Sequence, residues 1–167
     1  MSQKSNYKKI LENISLNNLN NISVFNLTIG SETKQAQILF YNQDNDGGHA
    51  LWDVGKHPFN KESREKQTMQ NTQLSTVDDI LNQQENIGQI KMMKIDTEGA
   101  ELDVIKGAVN IIYQYEVGYI ICEINRFGLR EMGTNETELR ELMNLLGYET
   151  YLITEDKSRQ LVKLPQE

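Results

Sequence analysis

Residues 90–124 carry the pattern that most narrows the choice of fold. An apolar run of strand length leads into an acidic turn, Asp96-Thr97-Glu98-Gly99. A helical stripe of Leu102, Ile105, Val109 and Ile112 follows, and a second apolar run covers 117–124. Apolar residues spaced three and four apart bury one face of a helix, whereas a nearly continuous apolar stretch suits a parallel strand covered on both faces. Lys91 and Lys94 make the first strand, 90–95, less apolar than the second. Strand, helix and strand in that order place two parallel strands in one sheet with the helix crossing over it.

The flanking sequence extends the same alternation. Tyr7, Ile10, Leu11 and Ile14, capped by Ser5 or Asn6, predict an opening amphipathic helix that ends near Asn20-Asn21. Residues 22–29 alternate as a strand stopped by Gly30, 36–41 form a second β-rich run, and 44–48 form the loop after it. From 55 to 70 charges are frequent and Pro58 intervenes, so this stretch reads as a surface excursion, long enough to act as a lid. Residues 72–75 make a short strand, and Thr76 with Asp79 forms a capping box before Val77-Asp78-Asp79-Ile80-Leu81. Asn135 and Glu138 cap a further helix whose Leu139, Leu142, Met143 and Leu146 face inward, ending at Gly147. Residues 148–154 and 159–164, joined by a polar turn at 155–158, read as a closing hairpin that adds an antiparallel strand.

Composition removes several functions. The chain of 167 residues fits one domain spanning 1–167. Its net charge of −7 argues against nucleic acid, because neutralising phosphates needs a basic face, and Tyr7-Lys8-Lys9 is only a solvated helix edge. Cys122 is the sole cysteine, so it makes no internal disulfide and belongs in the apolar core. No run approaches the roughly 18 apolar residues of a membrane span. A cytoplasmic protein that contacts neither membrane nor nucleic acid is expected.

The fifteen residues Lys94-Ile95-Asp96-Thr97-Glu98-Gly99-Ala100-Glu101-Leu102-Asp103-Val104-Ile105-Lys106-Gly107-Ala108 resemble, without a gap, the K-I-D-x-E-G-x-E-x-x-V-(I/L)-x-G-A signature of FkbM methyltransferases. Three other pieces resemble the family in the same order: residues 13–30, the "T-(L/V)-D-D" element within 74–81, and the strand ending in an acid at 120–123. The resemblance implies a Rossmann-like, class I methyltransferase three-layer sandwich with a mostly parallel sheet and a C-terminal antiparallel hairpin. It also implies S-adenosylmethionine as methyl donor and a hydroxyl of a sugar, glycan or small natural product as acceptor. In the family, a glycine-rich turn after the first strand and an acid after the second hold the donor. Only six residues precede Tyr7, and no G-x-G-x-x-G occurs, so the sandwich is expected to be incomplete. In the family's sheet the two absent strands lie between 22–29 and 90–95. Two open edges are therefore expected, inviting self-association or a partner chain. A catalytically inactive fragment or accessory subunit that keeps part of the fold is the alternative. An unrelated α/β binding module would share the layered pattern but not the signature.

Ligands of parallel sheets bind beyond the carboxyl ends of the strands. By resemblance Asp96 and Thr97 face the methionine end of the donor, Thr28 and Ile29 lie near its adenine, and Glu98 belongs to the donor side. Acids and hydroxyls at a helix start also cap free N–H groups, which accounts for Asp96, Thr97, Glu98 and Glu101 one by one but not for their grouping after a buried strand. A hydroxyl acceptor needs a proton removed, for which Asp96, Glu123 on the neighbouring strand end, and His49 are the candidates. The family often has a histidine where this chain has Asn125, and His57 ranks below His49. The two histidines make no zinc site, and Asp44-Asn45-Asp46-Gly47 lacks the later glutamate of a calcium loop, so no metal ligands are assigned. Trp52 and the methionines read as packing residues.

Overall fold

A computed structural model of the chain describes residues 4–40, 49–57, 68–154 and 159–165. In chain order it runs α1 (Lys4–Leu16), β1 (Thr28–Ile29), β2 (Lys34–Phe40), a single 3-10 turn at Val54–Lys56, β3 (Thr68–Ser75), α2 (Val77–Asn82) and β4 (Met92–Ile95). It continues with α3 (Glu101–Lys106), α4 (Val109–Gln114), β5 (Tyr119–Cys122), α5 (Arg126–Glu131), α6 (Glu136–Leu145), β6 (Tyr151–Ile153) and β7 (Leu161–Lys163). The fold is mixed α/β, with three small sheets ordered β1-β3-β2, β4-β5 and β6-β7. The loop expected at 44–48, most of the excursion at 55–70, the polar turn at 155–158 and the residues weighed as a calcium loop lie outside the described residues.

The strand–helix–strand expectation holds at the centre. β4 and β5 pair in parallel, Ile95 opposite Cys122. Beneath them Ile95, Leu102, Val104, Ile105, Ala108, Ile112, Val117, Leu129 and Leu139 form one buried cluster. The helix between the strands differs from expectation: it breaks at Gly107-Ala108 into α3 and α4. Asp78 is the cause. Its backbone N–H takes the Gly107 carbonyl at 2.9 Å, and its carboxylate accepts from the backbone N–H of Asn110 and Ile111 and from the Asn110 side chain. Donors and an acceptor that would continue one helix are diverted to α2.

The predicted strand at 22–29 shrinks to Thr28–Ile29, because only these two residues pair with β3, while Ile22 and Phe25 are exposed. The short strand at 72–75 instead begins at Thr68, since an antiparallel ladder with β2 holds it along its length despite its polar sequence. The capping boxes form as expected: Thr76 Oγ1 accepts from Asp79 N, and Asn135 Oδ1 from Glu138 N. Helix α5 was not foreseen, as Gly128 in its middle masks the pattern, yet Asn125 caps it by accepting from Gly128 N at 2.8 Å. Helix α1 forms but leaves Ile10 and Leu11 exposed. The closing hairpin also forms; among the described residues β6 and β7 pair only with each other.

The pieces that resemble the FkbM family converge in space. Gly30 N donates to Ser75 O, and Gly107 packs so closely on Gly30 that a Cβ on Gly107 would lie 2.1 Å from the Gly30 carbonyl oxygen. Thr33 donates to the Asp79 carboxylate at 2.5 Å. The glycine after β1, the threonine and acids opening α2, and the glycine closing α3 thus form one joint.

Candidate functional site

The site is built on the end of β4. Ile95 is buried, and the parallel register carries Asp96 and Glu123 to neighbouring strand ends, tied by Glu123 N donating to Ile95 O at 3.0 Å. Lys94 Nζ donates to Asp96 Oδ2 at 2.6 Å. That bond, with the nearby charge of Glu123, holds the Lys94 amine above its ordinary range.

After Thr97 the chain makes a turn of two consecutive left-handed residues, Glu98 (φ 55°) and Gly99 (φ 109°). Several elements clamp it. Trp52 Nε1 donates to Glu98 O at 2.6 Å, and Asn125 Nδ2 donates to Glu98 Oε2 at 2.6 Å. Gly99 N donates to the Glu101 carboxylate at 2.7 Å. Gly99 also lies against Gly128: a Cβ on Gly99 would sit 2.5 Å from the Gly128 carbonyl carbon, so both the positive φ and the space require glycine. Glu101 is fully buried, and burial pushes its carboxyl above the usual range, only partly offset by backbone amides that include Gly99's. Burial likewise raises the Cys122 thiol to about 12, with help from the charges of Glu101 and Asp96; it is a core-packing thiol.

Two cavities meet at this turn. One, of 80 Å³, is lined by Thr28, Ile29, His49, Asp96, Thr97 and Glu98, with Ile38, Ala50, Leu51 and Ala100 completing its wall. The other is a mainly apolar cleft of 420 Å³ along the edge of β4 that does not pair with β5, facing Ile29 of β1 and Val77 and Leu81 of α2. Asp96, Thr97 and Ile29 belong to both. Thr97 Oγ1 is buried and has no hydrogen-bond partner among the described residues.

The structure therefore gathers Thr28, Ile29, His49, Asp96, Thr97 and Glu98 around one small cavity, although His49 lies far from the others in sequence. Glu123 stands beside Asp96 but lines neither cavity, and Glu101 also lines neither. His57 packs edge-on against Phe127, with ring centroids 4.6 Å apart. Sequence reasoning placed Trp52 only as packing. It does pack with Ala50, Val54 and Phe127, but its indole N–H also anchors the signature turn. Its place three residues after His49 was the available signal. Asn125, at the position where the FkbM family often has a histidine, is engaged at both ends of its amide in holding the turn and α5. Among the described residues no three His, Cys, Asp or Glu side chains gather as a metal site, and no helix is long and apolar enough to cross a membrane.

A family model for the methyltransferase FkbM domain matches residues 3–150. The chain belongs to the FkbM methyltransferase family. The matched span of this FkbM domain takes in α1 through α6, and so includes both the signature turn and the joint at Gly30 and Gly107. No curated protein and no solved structure matches the chain.

Proposed function

We propose that this FkbM domain is part of an S-adenosylmethionine-dependent O-methyltransferase acting on a hydroxyl of a sugar or small natural product. Its three small sheets are read as parts of an incomplete class I methyltransferase sandwich spanning the chain as one domain. The reading rests on one observation: Asp96 and Thr97 form the wall shared by a small cavity and a larger cleft at the carboxyl end of a parallel strand. That is where open α/β sheets bind their ligands.

The residues present fit part of the donor. A buried hydroxyl without a partner at Thr97 and the carboxylate of Asp96 offer polar contacts to its methionine end, while Thr28 and Ile29 border the same space. When bound, the donor supplies a methyl group on a positively charged sulfur. The chain's own part is to place an acceptor hydroxyl and take its proton. His49 and Asp96 share the small cavity and are the bases for that step, with Glu123 beside Asp96 adding negative charge at the rim. The cavity of 80 Å³ admits a single functional group rather than a whole sugar, so the acceptor presents one hydroxyl and keeps its bulk outside. Holding oxygen and methyl in line supplies much of the acceleration in such a displacement.

A second reading is favoured by the open edge of β4. The apolar cleft beside it suits an added strand, from another segment or a partner chain, and a glycine-rich turn is not among these residues. The chain would then serve as an accessory or non-catalytic piece. Titration calorimetry with S-adenosylmethionine separates the two. Micromolar binding by this chain that Asp96→Ala abolishes supports the methyltransferase reading; no heat of binding, alone or with candidate partner chains, defeats it.

A further inference from the structure

The Glu101 carboxylate is buried, apart from both cavities, and its Oε1 accepts from the backbone N–H of Gly99. We propose that Glu101 is a positioning residue: by holding the Gly99 N–H it fixes the left-handed turn at Glu98-Gly99, and through it the orientation of Thr97 and Asp96 toward the two cavities. Its consequence for ligand binding rests on the methyl-donor reading above; the geometry does not.

Two left-handed residues in succession are unfavourable for a chain that carries a side chain at Glu98, and such a turn persists only when its surroundings over-determine it. Here both polar groups of the peptide between Glu98 and Gly99 have a dedicated partner. The Glu98 carbonyl is taken by Trp52 and the Gly99 N–H by Glu101 Oε1 at 2.7 Å. The Glu98 side chain is held by Asn125, and the Gly99 Cα by contact with Gly128. Of these, the Glu101 contact alone comes from within the same strand-to-helix connection, at the first residue of α3, which is anchored in the core by Leu102, Val104 and Ile105. It therefore ties the turn to a rigid element rather than to another loop. Without an acceptor at that place, the Gly99 N–H is buried and unsatisfied, and rotating the peptide to relieve it swings Thr97.

The second oxygen, Oε2, is buried with no hydrogen-bond partner among the described residues. A proton placed on Oε2 would leave Oε1 accepting from Gly99. Acceptance at Oε1, not negative charge, is what positions the turn, so an amide in place of the carboxyl preserves it.

The test uses the whole chain in three forms: wild type, Glu101→Gln and Glu101→Ala. Amide resonances of Thr97, Glu98 and Gly99 are followed by NMR, and affinity for S-adenosylhomocysteine by calorimetry. Glu101→Gln is expected to keep the Thr97 resonance and bind within a few-fold of wild type. In Glu101→Ala the three resonances shift together, and binding weakens about tenfold or more, as misplacement of a contacting group does. If Glu101→Ala does not fold, Glu101→Gln decides alone: a folded Gln variant with Thr97 displaced overturns the proposal. Unchanged Thr97 and Gly99 resonances in Glu101→Ala overturn it equally. Absence of binding by wild type defeats the donor reading instead, while the resonances still judge the positioning role.

Discussion

Glu101 is the residue where local chemistry has the clearest measurable consequence. Burial raises its folded-state carboxyl above the value it has in the unfolded chain. A group shifted upward contributes stability that is complete below its unfolded value and is lost as pH rises through its folded value. Wild type should therefore lose stability relative to Glu101→Gln as pH is raised from below 4.5 into that higher range. Glu98 and Cys122 face the same carboxyl and are common to both proteins, so the difference between their urea midpoints isolates Glu101. A parallel dependence in the two proteins would show that the carboxyl is not held in this environment. The same buried group explains part of what the sequence left unread. Asp96 and Glu101 look alike as acids around a helix start, yet one is half exposed at a cavity wall and the other is enclosed under it. Nothing in their spacing says which.

Between elements, Asp78 makes the decisive link, since a single carboxylate receives the start of α4 while its own amide holds the end of α3. Replacing it with alanine strips the cap and leaves amide groups short of acceptors, and should destabilise the fold by about 1–2 kcal/mol, read from urea unfolding. The Thr97 environment should remain unchanged; if Asp78→Ala leaves stability within error, the joint between α2 and α4 is not what holds them. Such links set the limit of sequence reading here. The parallel pair at 90–95 and 117–124, both capping boxes and the closing hairpin were legible because each is encoded by neighbours in sequence. The helix break, the extension of β3 back to Thr68 and the loss of strand from 22–27 were not, because each depends on a partner distant along the chain. Helix α5 escaped for a local reason, its central Gly128, and that glycine is required by contact with Gly99 rather than by its own helix. For the site, the signature gave the wall at Asp96 and Thr97, and loop position gave His49. Their meeting in one cavity is tertiary information.

At the scale of the molecule, paired strands are few and the sheets small among the described residues, and much of their apolar surface stays in contact with water. Tyr119, Leu152, Leu161 and Met92 are all more than half exposed, and one edge of β4 borders the cleft without a strand. Open edges flanked by apolar side chains favour association or strand addition. The chain on its own should sediment as more than one species or unfold over a broad range of urea; a single monomer with one steep transition would count against an incomplete sheet. The contact between Trp52 and Glu98 adds a practical consequence. The only indole in the chain donates its hydrogen to the backbone of the turn that walls both cavities, within a buried cluster. Its fluorescence is thus an unlabelled gauge of the loop, and any molecule that enters beside Thr97 and tugs on that carbonyl should change the colour or brightness of the emitted light.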